Sequence, residues 1–158
     1  MKNHGFTFVE IIIAIGLAAI MLPALARALS FSIRVASQGE KFSQANALGR
    51  EYMEAVYYIK SNDPANWAWS TTSPASGMYQ PTKSGSAWSL GSVITSPIVN
   101  ATPFTRTVQV SSVNRDVNGN IAGSGTNDPS TRFIHVVVSW PEANGPQQII
   151  LDSYVTNH

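Results

Sequence analysis

Apolar residues fill the start of the chain almost without interruption, whereas later segments mix apolar and polar positions. No charged residue occurs from Ile11 to Ala26. The apolar stretch from Phe6 to Leu29 is long enough to cross a bilayer as a helix, which needs roughly 20 predominantly apolar residues. The pattern predicts a hydrophobic helix over residues 6–29.

A second helical pattern follows, in which apolar residues recur at intervals of three and four and therefore share one helix face. This predicts an amphipathic helix over residues 30–61, which ends before Pro64 because the residue preceding a proline is pushed out of the helical region. One continuous helix and two helices hinged near residues 37–39 are both compatible with the pattern. The apolar positions are Phe42, Ala45, Leu48, Tyr52, Met53, Val56 and Ile59.

Residues 62–103 are rich in Ser, Thr, Pro and Gly, which is typical of a long connection. We predict one hairpin there, around Lys83-Ser84-Gly85. Aromatic residues in such a segment can form a recognition surface, but more often they pin the segment to the core. The aromatic residues in question are Trp67, Trp69, Tyr79 and Trp88.

The last part of the chain, residues 104–158, has the period-two pattern of β-strands. Strands are predicted at 104–113, 132–140 and 148–155, with Ile134, Val136, Val138 and Trp140 on one face of the middle strand. Three antiparallel strands packed against the amphipathic helix would satisfy both patterns. The predicted fold class is therefore α+β, with a long N-terminal helix on a small C-terminal antiparallel sheet.

Composition excludes several classes of function. The chain has 158 residues, no cysteine and a formal charge of +1, so thiol chemistry is impossible and there is no basic surplus to bind a phosphate backbone. No nucleotide-binding loop, hydrolase elbow or H-E-x-x-H motif is present. We expect neither an enzyme, nor a cofactor, nor direct binding of nucleic acid.

One loop carries a weak calcium-binding pattern. Asp116, Asn118 and Asn120 present side-chain oxygens at alternate positions, with Asp128 downstream, and calcium prefers oxygen ligands in that arrangement. The position-6 glycine and the position-12 glutamate of a calcium loop are missing, and the same residues commonly form turns. No metal site is predicted, and calcium is retained only as a weak candidate.

Three hypotheses compete for the N-terminal segment: a cleaved secretory signal, a plain membrane anchor, and a signal processed on the cytoplasmic side. A secretory signal should have a small-residue cleavage site after the apolar stretch, where none is evident. A plain anchor leaves the carboxylate of Glu10 unexplained, because a charge in hydrocarbon is unfavourable. Gly16 and Pro23 are weak points at which we expect a kink.

The N-terminus resembles the type IV pilin superfamily, in which a short leader precedes a hydrophobic helix. The resemblance lies in Gly5-Phe6-Thr7-Phe8-Val9-Glu10 and the apolar run that follows. It implies that prepilin peptidase removes residues 1–5 by cutting between Gly5 and Phe6 and methylates the new amino group of Phe6. It also implies that Glu10 engages that amino group on an adjacent subunit during assembly.

The same resemblance sets the expected function and location. It implies a minor pilin or type II secretion pseudopilin, held in the inner membrane by one helix with its C-terminal domain outside the cytoplasm, and located in the pilus or pseudopilus after assembly. Its partners would be prepilin peptidase, other pilin subunits, the inner-membrane assembly machinery and, before assembly, membrane lipid. The alternative is a membrane-anchored extracytoplasmic domain that binds a ligand.

Overall fold

The chain divides into two units, Met1–Lys41 and Phe42–His158. The computed structural model describes residues 7–62, 67, 76–91, 98–99 and 101–157. One helix and eight strands account for most of these residues. The fold class is α+β, as predicted, with a long N-terminal helix and an antiparallel sheet.

Helix α1 extends over Phe8–Asn62 without interruption, as the single-helix alternative required. Pro23 lies inside it, and the helix continues past both Pro23 and Gly16. A local bend at these positions stays a prediction. In the first unit, every side chain described from residue 7 to residue 40 is exposed, so this part of the helix has no apolar partner among the described residues of its own unit.

The second unit contains the last part of α1 and all the strands. The strands are β1 (Gly77–Ser84), β2 (Ala87–Gly91), β3 (Ile98–Val99), β4 (Thr102–Pro103), β5 (Thr105–Arg115), β6 (Ile121–Ala122), β7 (Thr126–Trp140) and β8 (Gln147–Thr156). The three predicted strands correspond to β5, β7 and β8. Strand β6 and the hairpin of β1 and β2 enlarge the sheet beyond these three strands.

All strand pairs in the sheet are antiparallel, in the order β2-β1-β5-β7-β8 with β6 paired to β5. Strands β3 and β4 form a separate pair. The β1–β2 hairpin turns at Gly85, whose φ of +60° is a conformation that glycine adopts easily. This is the hairpin that the Lys83-Ser84-Gly85 pattern predicts within residues 62–103.

The core of the second unit lies between the last part of α1 and one face of the sheet. Tyr52, Val56 and Ile59 of the helix pack with buried valine and isoleucine side chains of β5 and β7. A second cluster joins Ala45 to side chains that include Phe104 and Trp140, whose rings lie 5.8 Å apart. The predicted helix stripe is confirmed at most positions, whereas Phe42 is exposed.

The alternation predicted for the middle strand is present in β7. Ile134, Val136 and Val138 are fully buried and Trp140 nearly so, while the four residues at 133, 135, 137 and 139 are only partly buried. Because strand side chains alternate between faces, the first set faces the helix and the second faces away from it.

Aromatic side chains of the connecting region fasten it to this core. Trp67 is 2% exposed, and Tyr79 and Trp88 pack against the same cluster. Lys83 lies over the Trp88 ring at 5.5 Å from its centroid. These three aromatic residues therefore act as pins, whereas Trp69 lies outside the described residues.

Helix α1 lies close to the edge strand β8 at Gly49. A Cβ atom at this position would lie 2.8 Å from Cδ1 of Leu151 and 3.2 Å from Cδ1 of Ile149. The glycine is therefore needed for the close packing of helix on strand, although it is a poor helix former.

Candidate functional sites: the N-terminal helix and the Asp116 loop

The first turn of α1 is held by a reciprocal arrangement between Thr7 and Glu10. The backbone N–H of Thr7 donates to Oε2 of Glu10 at 2.8 Å, and the Thr7 hydroxyl donates to the same oxygen at 2.9 Å. The backbone N–H of Glu10 lies 3.4 Å from Oγ1 of Thr7. This is a capping box, which satisfies donors that a helix start otherwise leaves free.

Glu10 therefore has a local structural role that our sequence analysis missed. The signal was present as Thr7-Phe8-Val9-Glu10, a Thr-x-x-Glu pattern directly before an apolar run. The carboxylate remains exposed, and a carboxylate can accept about four hydrogen bonds. The capping box thus leaves capacity for a cation from outside the chain.

The two processing residues, Gly5 and Phe6, lie outside the described residues. What the structure describes begins two positions after the expected cleavage point, at Thr7. Cleavage and methylation of Phe6 therefore stay predictions from the sequence motif.

The surface around Glu10 is apolar on all sides of the helix. Large apolar side chains between positions 8 and 33 are each about half exposed or more. They are Phe8, Val9, Ile11, Ile12, Ile13, Ile15, Leu17, Ile20, Met21, Leu22, Leu25, Leu29, Phe31 and Ile33. The helix is long and apolar enough to cross a membrane, and none of its most apolar stretch is buried in the protein.

Two arginine residues lie beyond the far end of the charge-free run from Ile11 to Ala26. Arg27 and Arg34 follow the run, and Glu10 is the only acidic residue before Glu40. Long basic side chains at such positions can reach the polar boundary of a bilayer. The charges therefore flank the apolar stretch at both ends.

The Asp116 loop uses its carboxylate to shape a turn. Oδ1 of Asp116 accepts the backbone N–H groups of Asn118 at 2.8 Å and Asn120 at 2.9 Å. These backbone donors, with Asn120 the largest contributor, lower the pKa of Asp116. An aspartate in this arrangement is a common turn former.

Asp128 belongs to a different network from Asp116. Its Oδ2 accepts the Thr131 hydroxyl at 2.7 Å and Nε–H of Arg115 at 2.7 Å, and its Oδ1 accepts the backbone N–H of Ser130 at 2.9 Å. The hydrogen bonds from Thr131 and then Arg115 lower the pKa of Asp128 to about 2. A guanidinium thus already neutralises this carboxylate.

Arg115 links the two parts of the loop, because its Nη1 donates to the carbonyl oxygen of Gly119 at 2.8 Å. Gly125 allows the backbone to pass close to Arg115, since a Cβ atom at this position would lie 2.2 Å from the carbonyl oxygen of Arg115. No local pattern in the sequence singles out Arg115 or Gly125. Their role depends on the pairing of β5 with β7, which brings residues distant in sequence together.

This geometry does not arrange the residues of the calcium pattern as a metal-binding site. Within the part of the chain that the structure describes, no group of three or more His, Cys, Asp or Glu side chains could hold a metal ion. Asn118 and Asn120 contribute backbone donors to Asp116, and Asp128 is bound by Arg115. The calcium hypothesis therefore rests on the sequence pattern alone.

Two further polar contacts lie on the sheet. Arg106 stacks over the Tyr52 ring at 4.1 Å from its centroid and donates to Oε2 of Glu51 at 2.8 Å. On the opposite face of the sheet, Nδ1 of His135 lies 2.6 Å from Oδ1 of Asp152. The first contact ties helix to sheet, and the second joins β7 to β8.

A comparison with protein-family profiles, curated proteins and solved structures finds no match to this chain. The chain combines a long apolar helix with an antiparallel sheet, the two kinds of element that the resemblance to pilins implies. The resemblance to type IV pilins accordingly rests on the N-terminal motif and this arrangement of elements.

Proposed function

We propose that the protein is a structural subunit of a type IV pilus-like filament, either a minor pilin or a pseudopilin. The observation that carries the proposal is the contrast within α1. Its residues 8–40 are exposed and largely apolar, whereas its residues 45–59 supply buried side chains to a folded unit. A helix of this kind needs a second apolar environment.

The exposed stretch is too apolar for a helix that stays in water. Fully burying one large aliphatic side chain contributes roughly 1.5–3 kcal/mol, and large continuous apolar surfaces mark membrane or protein contacts. Lipid would cover this surface before assembly, and the helices of neighbouring subunits would cover it afterwards. One segment thus serves first as an anchor and then as the assembly element.

Glu10 would act in the second of these states. Leader cleavage creates an ammonium group on Phe6, and a charge removed from water persists best when it is paired with its opposite. The Glu10 carboxylate of one subunit would bind the Phe6 ammonium of the next. Buried ion pairs can set register and specificity more than they add stability, so the pair would define how adjacent helices align.

The proposed location follows from the same segment. The apolar helix would hold the subunit in the inner membrane with its folded unit outside the cytoplasm, and the inner-membrane machinery would move it into a filament. Prepilin peptidase would act on the cytoplasmic side. No catalytic role is proposed for the folded unit.

Mass spectrometry of the mature N-terminus tests this function. The full chain is expressed in cells with and without prepilin peptidase, and the membrane form is isolated. We expect an N-methylated Phe6 terminus only when the peptidase is present. A chain that retains Met1 in both cells would contradict the proposal and favour the membrane-anchored binding domain.

A further inference from the structure

We propose that the free edge of β8 is a docking site for an extended β-strand of another protein. The proposal is independent of filament assembly. Strand β8 is the last in the sheet order, and within the described ranges it pairs only with β7, through ten consecutive residues. Its other edge therefore offers backbone N–H and C=O groups to a partner.

Strand β8 lacks the usual features that prevent edge pairing. Proteins protect their edge strands with Lys, Pro, bulges or short strand length. The β8 sequence Gln147–Thr156 contains no Lys and no Pro, and Asp152 is its only charged residue. Its register with β7 has no shift. A long, regular and nearly uncharged edge is suited to strand addition.

A groove of about 320 Å³ lies between α1 and β8. One wall consists of Leu151, Asp152 and Ser153, and none of the lining residues belongs to β7. The other wall is one face of α1, where the lining residues recur at intervals of three and four: Arg50, Met53, Glu54 and Tyr57. The groove therefore lies beside the free edge of the sheet.

The helix supplies a floor for an added strand. Gly49 holds α1 against Leu151 and Ile149 of β8, and the hydroxyls of Tyr57 and Ser153 lie 2.7 Å apart. The helix face next to these contacts lines the groove together with β8. Alternate side chains of an added strand would enter the groove, where apolar ones would contact Met53 and Leu151, which are partly buried.

The other face of β8 indicates the charge of the partner. Strand alternation places the Asp152 side chain on the face away from the helix, where it contacts His135 and is 51% exposed. Opposite charges on directly paired strand residues are favourable. The partner strand is therefore expected to carry Lys or Arg opposite Asp152 and apolar residues at the alternate positions that enter the groove.

A second copy of β8 fits this edge less well. Residues directly opposite in an antiparallel pair have their side chains on the same face of the sheet. Complete overlap of two β8 strands would set Leu151 opposite Asp152, and these neighbouring residues lie on opposite faces. That register is therefore not allowed. The nearest allowed registers set two Asp152 carboxylates opposite each other, or Asp152 opposite Ile150. Like charges directly opposite are destabilising, and the other register leaves Asp152 without a basic residue opposite it. A different chain that carries such a residue therefore fits the edge better.

The experiment uses the full chain in detergent micelles and a phage-displayed library of random linear peptides as the probe. We expect enriched peptides to alternate apolar and polar residues and to contain Lys or Arg. Hydrogen exchange should show new protection in residues 147–156 when such a peptide binds. Methylation of alternate backbone nitrogens in the peptide should abolish binding, because main-chain hydrogen bonds supply the affinity.

Two variants and a matched control locate the site. Tyr57→Lys places a charge in the groove and should weaken binding by about tenfold or more, whereas Tyr58→Lys, on the same helix but outside the groove lining, should leave it unchanged. Asp152→Lys should weaken binding of basic peptides and strengthen binding of peptides in which Glu replaces the basic residue. Thermal unfolding confirms that each variant is folded.

Several results would overturn the proposal. Enriched peptides without alternation, protection of strands other than β8, or equal binding by wild type and Tyr57→Lys would each do so. A concentration-dependent dimer that Tyr57→Lys abolishes would instead assign the edge to a second copy. Processing and methylation of Phe6 do not depend on any of these outcomes, so the proposed function is tested separately.

Discussion

The Thr7 hydroxyl and backbone N–H both donate to Oε2 of Glu10, at 2.9 and 2.8 Å. The Glu10 carboxylate, which the sequence shows as a single charge at the start of an apolar helix, is thus also part of the cap of that helix. Two roles are therefore combined in Glu10: a local one toward Thr7 and a proposed one toward the Phe6 ammonium of another subunit. Substitutions at the two positions separate these roles.

Glu10→Ala should be cleaved and methylated normally but should enter filaments poorly, because the proposed intersubunit ion pair is lost. The measurement is the amount of subunit in sheared filaments relative to the membrane fraction, with mass spectrometry of the N-terminus. Wild-type levels in filaments would refute the assembly role of Glu10.

Thr7→Val is the matched control, since it removes the side-chain part of the cap and leaves Glu10 in place. Loss of such a cap typically costs about 1 kcal/mol of helix stability. We expect incorporation close to wild type. If Thr7→Val and Glu10→Ala fail equally, the importance of Glu10 lies in the helix cap.

Gly5→Arg should leave an unprocessed precursor in the membrane. Only a small residue allows the peptidase close to the bond before Phe6, whereas Arg would obstruct it. An immunoblot of membrane fractions should show the slower-migrating precursor alone. Normal cleavage of this variant would be incompatible with the proposed processing site, and Gly16→Ala, within the helix, serves as a processing control.

Gly49→Leu should destabilise the second unit by about 1–3 kcal/mol, the usual cost of overpacking. Even a Cβ at this position would lie 2.8 Å from Leu151, so helix and strand must separate. Gly39→Leu is the control, because no atom of the described residues outside the local helix backbone lies within 4 Å of its Cβ position. Thermal unfolding of the full chain in detergent should show a lower Tm for Gly49→Leu alone.

Asp128→Asn should remove a pH-dependent contribution to stability. Thr131 and Arg115 lower the pKa of Asp128 from 3.8 to about 2. The native state thus favours the ionised form, so the contribution is present above about pH 4 and is lost as the pH falls toward 2. We expect wild type to exceed the variant by about 1–2 kcal/mol at neutral pH, after allowance for solvent screening.

Denaturant unfolding of both proteins between neutral pH and pH 2 measures this difference. The difference in stability should become smaller as the pH falls from 3.8 to about 2, the interval between the ordinary and the lowered pKa of Asp128. Thr131→Val, which removes the largest cause of the pKa shift, should show part of the same effect. A difference that stays constant with pH would contradict the assigned network.

Calcium should bind weakly or not at all to the Asp116 loop. Asp116 is occupied by backbone donors and Asp128 by Arg115, so a calcium ion would have to displace both. Isothermal titration of the full chain in detergent should give no heat beyond dilution. Saturable heat that Asp116→Ala removes would restore the calcium hypothesis.

Much of the fold follows from local pattern. The period of three to four residues predicts the buried side of α1 from Ala45 to Ile59, and the period of two predicts the buried face of β7. Both depend on which side of a regular element is apolar, which a sequence shows directly. The packing role of Gly49 was not predicted, because it depends on the closeness of Leu151, which is about a hundred residues away in the sequence.

Some residues of the candidate sites can be identified from local sequence patterns, and others only from the tertiary structure. The motif from Gly5 to Glu10 is contiguous, so its residues stand out from the sequence alone. The Thr7 cap is equally local, because Thr-x-x-Glu directly before an apolar run is the pattern of a capping box. By contrast, Arg115 reaches Asp128 only through the pairing of β5 with β7, which no local pattern specifies.

Sequence by itself determined the charge-free apolar stretch, the place of Glu10 at its start, the helix stripe and the three main strands. Tertiary structure decided that the Asp128 carboxylate pairs with Arg115, that Gly49 seats the helix on β8, and that β8 ends the sheet beside a groove. The physical reason is that hydrophobic periodicity is written into consecutive residues. Ion pairs, close approaches and strand edges depend instead on which distant segments meet.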